Sequence, residues 1–251
     1  MWRGWQTAIE QFAYYRRSAG WSAALQLAAR NAVRPIYYRD EFRLRVSRRL
    51  ENWADDPIPE GPGTIHALAV ESVEAYDALE PRIHPYVRRQ GLRDFLAGGS
   101  GGRYIVLTEY TPEDGGPAPI IGFRMYERGR FSIYEYGFGG PLPESFAMNL
   151  DTGVAPEYRG QRIQARGRRE NIGHRVRLGI DTTVSVVRTH NAASLRSGSR
   201  PRVGRVRDEV GVFAITSWFG GRWRQTPNWE RLRQRILEGP PEAVAVAGAP
   251  R

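Results

Sequence analysis

The chain has 251 residues, of which 41% are hydrophobic and 11% are aromatic, so it can bury a sizeable core and is not a disordered chain. It contains no Cys and only four His, which excludes disulfides and cysteine nucleophiles and argues against a transition-metal site. The formal net charge is +10, and every one of the 37 basic residues is Arg. This excess should attract an anionic ligand, an anionic lipid surface or nucleic acid.

Residues 5–33 predict two short helices with a break near Gly20. Their apolar faces include Trp and are flanked by Arg, a composition typical of a segment that lies on an anionic membrane surface. The same faces could instead dock on the domain or on a second subunit, which would give a homodimer. Docking is favoured, because the second helix is rich in Ala and weakly charged on its polar side.

The segment after these helices predicts one strand and a linker. Apolar and charged residues alternate from Glu41 to Val46, which predicts an extended strand with one basic face. Residues 55–63 are rich in Asp, Pro and Gly and predict a linker. No signal-peptide pattern and no membrane-spanning run is visible, so we expect a cytoplasmic protein, with peripheral membrane contact through the N-terminal helices as an alternative.

A domain is predicted to begin at Thr64. Residues 65–70 predict a strand, Ser72 predicts a helix N-cap, and helical pieces continue to about Leu96. Residues 103–109 and 118–126 then predict two paired strands joined by a hairpin loop, and alternating apolar residues predict a further strand at 130–138.

A strand, a turn and a helix follow, and they suggest an anion site. Residues 145–151 predict a strand, residues 163–178 an Arg-rich helix, and residues 180–188 a further strand. A meander followed by strand-helix-strand predicts an α+β fold, with a mixed, mostly antiparallel sheet flanked by helices. The turn before the helix contains Arg159 and Arg162. Unpaired N–H groups at a helix start, together with Arg, suit a diphosphate.

This turn resembles a known signature. The stretch from Val154 to Ile163 is similar to the acyl-CoA-binding motif of the GNAT superfamily of N-acetyltransferases, V-x-P-x-Y-R-G-x-G-[IL]-[GA]. Arg162 and Gln164 depart from it, because the family has glycine and a small residue there. The segment from Asn191 to Arg196 resembles the N-x-x-S-[IL]-R segment that follows the fifth strand of the family. The positions that match the first motif are Val154, Pro156, Tyr158, Arg159, Gly160 and Ile163.

The resemblance implies an acetyl-CoA-dependent N-acetyltransferase that works by direct attack of an amine within a ternary complex. The implied domain covers residues 64–218, with an N-terminal helical extension at 1–63 and a basic aromatic segment at 219–251. Pantetheine would bind the strand and the pyrophosphate would bind the turn. The implied cofactor residues are Leu150, Asp151, Thr152, Val154, Arg159, Gly160, Gln161, Arg162, Ile163, Gln164, Asn191 and Ser194.

The acid and base of such a reaction have candidates. Glu109, Glu135 and Asp151 lie on predicted strands, and Glu135 is favoured because burial between Tyr134 and Tyr136 would suit a base. The family often has a Tyr after the Asn-x-x-Ser segment to protonate the leaving thiolate, but none stands here. Either Ser197, Ser199 or a water substitutes, or the thiolate leaves unassisted, or the domain does not catalyse.

Two other classes of function remain open. The domain could be a non-catalytic acyl-CoA-binding or membrane-peripheral interaction module, which the missing Tyr favours. It could also be an aminoacyl-tRNA-dependent transferase, although those proteins usually have two such domains. The aromatic and Arg-rich C-terminal region could stack bases, but no nucleic-acid module is recognisable, so nucleic acid is not the expected partner. The acceptor expected of an enzyme is a small-molecule, lipid or sugar amine.

Overall fold

The computed structural model describes residues 37–48, 58–99, 101–189, 191, 208–219 and 222–238, together with isolated positions between residues 12 and 29. The predicted N-terminal helices therefore lie largely outside the described residues, as do Ser194, Ser197, Ser199 and the tail from residue 239. The chain divides into two compact units. We call residues 46–185 the central unit, and residues 1–45 with 186–251 the terminal unit. The predicted domain boundaries at residues 63 and 218 stay predictions.

The described regular elements are ten strands and six helices of the α type. None of these helices is long and apolar enough to cross a membrane. The strands are β1 Tyr37–Ser47, β2 Thr64–Val70, β3 Arg103–Thr111, β4 Ile120–Arg128, β5 Arg130–Ile133, β6 Phe138–Pro141, β7 Phe146–Val154, β8 Thr182–Arg188, β9 Asp208–Trp218 and β10 Trp223–Gln225. The helices are α1 Val73–Leu79, α2 Pro85–Arg88, α3 Leu92–Ala97, α4 Ile163–Arg166, α5 Arg168–Arg177 and α6 Trp229–Glu238.

The central unit is built on a mixed sheet in the order β8-β7-β4-β3-β2. Strands β2, β3, β4 and β7 pair antiparallel, and β7 pairs parallel with β8. A parallel pair needs a crossover between its strands, and helices α4 and α5 supply it. This mixed, mostly antiparallel sheet with flanking helices confirms the predicted α+β fold class.

Both faces of this sheet are covered, and β3 shows why. Ile105 and Leu107 lie in one apolar cluster with Tyr76 of α1, whereas Tyr104 of the same strand lies in another cluster with Ile172 of α5. Successive side chains of a strand point to opposite faces, so α1 to α3 cover one face and α5 covers the other. Burying a large apolar side chain in such a core stabilises the fold by roughly 1.5–3 kcal/mol.

The terminal unit contains β1, β9, β10 and α6. Phe42 of β1 stacks on Phe213 of β9 with their ring centroids 5.2 Å apart. Strands β9 and β10 pair antiparallel, with Trp218 opposite Trp223. Helix α6 buries Leu232 and Ile236 in this unit.

Two predictions of regular structure are wrong in detail. Residues 130–138 are not one strand: β5 ends at Ile133, a 3₁₀ turn spans Tyr134–Tyr136, and β6 begins at Phe138. Gly137 takes a φ of 58°, which allows the reversal, and the apolar alternation comes from two hairpin strands. The predicted helix at 163–178 is interrupted at Gly167, which lies between α4 and α5, because glycine weakens a helix interior.

Two glycines, one in the sheet and one in a helix, test how tightly the sheet is packed. A methyl group at Gly153 of β7 would overlap the ring of Phe123, so we expect Gly153→Ala to lower the free energy of unfolding by about 1–3 kcal/mol. At Gly173, in α5, an added methyl meets only the end of Arg177 at 3.5 Å. Gly173→Ala should therefore stabilise the protein by up to about 1 kcal/mol. Urea unfolding of both variants measures the two changes, and equal effects would contradict the packing described here.

Candidate functional site

Strand β7 continues beyond the end of its parallel ladder. Its pairing with β8 runs from Phe146 to Asn149 and ends at Ser185. On its other side β7 stays paired with β4 as far as Val154. The register with β4 shifts after Asn149, and this makes Leu150 an extra, bulged residue. Residues 150–154 thus form a strand segment that begins where the β7–β8 ladder stops.

The turn after β7 contains a run of backbone N–H donors that meet no acceptor in the described ranges. Tyr158 and Arg159 close a 3₁₀ turn, after which Gly160 has a φ of 87° and Arg162 has a φ of 57°. In the part of the chain that the structure describes, none of the five N–H groups of residues 160–164 donates to a protein atom. Successive N–H groups in such a mixed left- and right-handed conformation can form a concave anion site.

Apolar packing holds this turn on the sheet. The N–H of Ala155 donates to the carbonyl of Ile121 at 2.8 Å, and Ala155 packs in a cluster with Ile163 of α4. The ring of Tyr158 meets that of Tyr110 edge-on, with centroids 5.4 Å apart. The two ends of the turn are therefore fixed, while the donors between them remain available.

Two exposed guanidinium groups accompany the donors. Arg159 donates from Nε to the carbonyl of Val154 at 3.0 Å, and its guanidinium lies 5.3 Å from the ring centre of Tyr86. Arg162 is exposed at the start of α4. Positive charge beside free N–H groups favours an anion with several oxygens, such as a diphosphate.

Gln164 links the turn to two strands through hydrogen bonds. Its carbonyl oxygen Oε1 and its backbone oxygen each accept a bond from Arg124 of β4. Its Nε2 donates to the carbonyl of Gly153 at 3.2 Å. The side chain that departs from the family motif is thus turned towards the sheet and holds α4 in place. Arg162, the other departure, adopts the left-handed conformation that glycine favours.

The three candidate carboxylates have different surroundings. Asp151 lies on the segment of β7 beyond the bulge. Burial around its carboxyl raises its pKa, even though part of the side chain is exposed. The N–H of Thr152 donates to Asp151 Oδ1 at 2.7 Å, and this hydrogen bond lowers the pKa and so opposes the shift. Glu109 is largely buried and forms an ion pair with Arg82. Glu135 is exposed on the 3₁₀ turn, so its predicted place on a strand between buried aromatic rings is wrong.

The remaining predicted site residues separate into three groups. Leu150, Thr152, Gly160 and Gln161 belong to the strand and turn, and the hydroxyl of Thr152 donates to Asn149 Oδ1 at 3.3 Å. Asn191 lies in the terminal unit, where its N–H donates to the carbonyl of Arg188 at 2.9 Å. Ser194 and Ser197 lie outside the described residues.

Two residues at this site were not found from the sequence. Arg124 of β4 holds Gln164, and Tyr86 of α2 lies under Arg159 and close to Gly153. Neither stands in a motif, and they are 38 positions apart in the printed sequence. The one available signal was Gln164 itself, since a polar side chain in place of a small residue needs hydrogen-bond partners.

No protein-family model matches the chain, and no protein of curated function matches it by sequence. Solved structures with a similar fold include a tandem GNAT protein from the clavulanic acid biosynthesis pathway, with 14% identity, a TM-score of 0.41 and coverage of 64% of this chain and 48% of that one. A GCN5-related N-acetyltransferase from Kribbella flavida has 12% identity and a TM-score of 0.38, and the match covers 84% of this chain and 66% of that one. An aminoglycoside acetyltransferase from an uncultured soil metagenomic sample has 12% identity and a TM-score of 0.34, and the match covers 57% of this chain and 91% of that one.

The chain thus spans 48% and 66% of the lengths of the first two of these proteins. All three similarities have TM-scores below 0.5, and they concern the fold alone. What the site does has to be argued from its own residues.

Removing the Arg124–Gln164 contact should lower the stability of the protein. In Arg124→Met, the two oxygens of Gln164 lose a charged donor, and we expect the free energy of unfolding to fall by about 1–3 kcal/mol. Arg130→Met is the matched control, because Arg130 is exposed at the start of β5 and should change stability by less than about 0.5 kcal/mol. Equal values for both variants in urea unfolding would show that the contact contributes nothing.

Because the pKa of Asp151 is raised, replacing its carboxyl group by a neutral amide should stabilise the protein, and this gain should depend on pH. A raised pKa means that the folded state disfavours the charged form, so stability is full below the unfolded pKa of about 3.9 and declines as the pH rises through the folded value. Asp151→Asn should therefore melt at a higher temperature than the wild type at pH 7, with a difference that vanishes near pH 3. Thermal unfolding at both pH values measures this; a difference independent of pH would contradict it.

Proposed function

We propose that the protein binds acetyl-CoA, or another acyl-CoA, at the turn after β7 and transfers the acyl group to an amine. The observation that supports this most directly is the run of five N–H groups of residues 160–164, which find no acceptor among the described residues and are flanked by Arg159 and Arg162. An anion with several oxygens can accept from all of them at once. The diphosphate of an acyl-CoA has this chemistry, and the match of the turn to the GNAT signature points to the same ligand.

The pantetheine arm would lie along residues 150–154 of β7. The bulge at Leu150 and the end of the β8 ladder leave this segment next to the turn in one continuous stretch of chain. An extended amide-containing arm can add hydrogen bonds to such a strand segment.

The transfer itself needs a neutral amine, a polarised thioester carbonyl and a proton for the leaving sulfur. The amine nitrogen forms a bond to the carbonyl carbon, the carbon–sulfur bond breaks, and the thiolate takes up a proton. Asp151 is our candidate for the base that removes the proton of the amine, because it lies on the strand segment beside the turn and burial around its carboxyl raises its pKa. A water would protonate the thiolate. The acceptor belongs to the small-molecule, lipid or sugar amines.

A second candidate function is acyl-CoA binding without transfer. The surroundings of two candidate bases favour it: Glu109 is neutralised by Arg82, and Glu135 is exposed on a turn. A binding module needs the turn and the strand but no base.

Calorimetric titration with acetyl-CoA tests the shared part of both candidates. We expect the wild type to bind and Arg159→Ala to bind about tenfold more weakly, the scale of one lost charge-assisted contact. Arg130→Ala is the control for net charge, since this exposed Arg lies on β5 in the same unit. No heat with the wild type, or an equal loss in both variants, would refute the site.

Release of free thiol separates the two candidates. With acetyl-CoA and a panel of amines, an enzyme releases CoA thiol, and Asp151→Asn should lower kcat by about 10²–10⁴-fold while acetyl-CoA affinity is retained. The chain contains no Cys, so a thiol reagent reports only CoA. Binding without thiol release from any amine of the panel would favour the binding module.

A further inference from the structure

The tip of the β9–β10 hairpin exposes two large aromatic side chains. Phe219 is 63% exposed and Trp223 is 70% exposed, and these are the two highest values among the large hydrophobic residues that the structure describes. Trp223 is paired with Trp218 at the end of the β9–β10 ladder, and Phe219 follows Trp218 directly. Single exposed hydrophobic residues are common, but two aromatic rings at one tip suggest a docking surface.

The backbone at this tip is strained. Phe219 has a φ of 50°, a conformation that glycine accepts and that a bulky residue resists. The N–H of Arg222 donates to the carbonyl of Phe219 at 3.4 Å and closes the turn. An exposed ring gains little packing within the chain to offset this strain, which suggests that the ring serves a contact outside it.

The charged side chains of the tip itself are basic. Arg222 and Arg224 flank Trp223 and are both exposed. No Asp or Glu occurs between Glu209 and Glu230 in the sequence, and the whole chain has a net charge of +10. An occupant of this surface should therefore be anionic and should also accept aromatic rings.

We propose that the hairpin tip, defined by residues 218–219 and 222–224, binds the surface of an anionic lipid membrane. Trp prefers the headgroup level of a bilayer, Phe can reach the acyl boundary, and Arg binds lipid phosphates. Single-stranded nucleic acid is the less fitting partner, because it needs a groove with stacking platforms along several nucleotides, whereas this surface is the end of a short hairpin. The inference is independent of the acyl-CoA site.

Co-sedimentation of the full chain with vesicles tests the proposal. Vesicles of phosphatidylcholine with phosphatidylserine should bind the protein, and vesicles of phosphatidylcholine alone should bind it much more weakly. Trp223→Ser should lower partitioning onto the anionic vesicles about tenfold, since it removes the largest apolar contact. Arg222→Gln should lower it about fivefold, while the matched control Arg231→Gln, an exposed Arg on α6, should have a smaller effect.

Phe219→Gly separates binding from folding. Glycine relieves the strain at a φ of 50°, so this variant should melt at a higher temperature than the wild type and yet bind anionic vesicles more weakly. Unchanged vesicle binding by Phe219→Gly and Trp223→Ser would overturn the proposal. It would also be overturned if both vesicle types bound equally, or if a single-stranded RNA oligonucleotide bound more tightly and displaced the protein from vesicles.

Discussion

The arrangement of the candidate site depends on the hydrogen bonds of Gln164. This one side chain joins the short helix α4 to Arg124 of β4 and to the Gly153 carbonyl of β7. A four-residue helix has almost no stability of its own, so it keeps its position through such tertiary contacts. The donors of residues 160–164 are preorganised because both ends of their turn are fixed, and preorganised donors bind an anion without first having to be ordered.

Much of the central unit follows from the sequence pattern, because its main strands are long apolar segments bounded by turn residues. The strands β2, β3, β4 and β7 are rich in apolar residues and are seven or nine residues long. The N-cap of α1 is predicted at Ser72, whose hydroxyl accepts from Ala75 N–H. Short elements were harder to predict. Apolar alternation across residues 130–138 has the same pattern in one strand as in two hairpin strands, and only the positive φ of Gly137 separates the two cases.

The site was predictable only where it is continuous in the sequence. The strand and the turn from Leu150 to Gln164 form one stretch, so a motif could locate them. Arg124 and Tyr86 reach this stretch through pairing of strands and packing of α2, and long-range pairing leaves no local signal. Glu135 shows the reverse error, since neighbouring aromatic residues in a sequence need not enclose the residue between them when the chain turns there.

Strand β4 shows what the pairing with β7 demands. Gly122 lies against the Gly153 carbonyl, Phe123 lies against Gly153 itself, and Arg124 reaches Gln164 on the opposite face. A slip of one residue would turn Arg124 into the apolar core beneath α1 to α3 and move Phe123 out of it. These three consecutive residues therefore fix the register of β4 with β7. An insertion or deletion within them would lower the stability of the fold far more than most single substitutions.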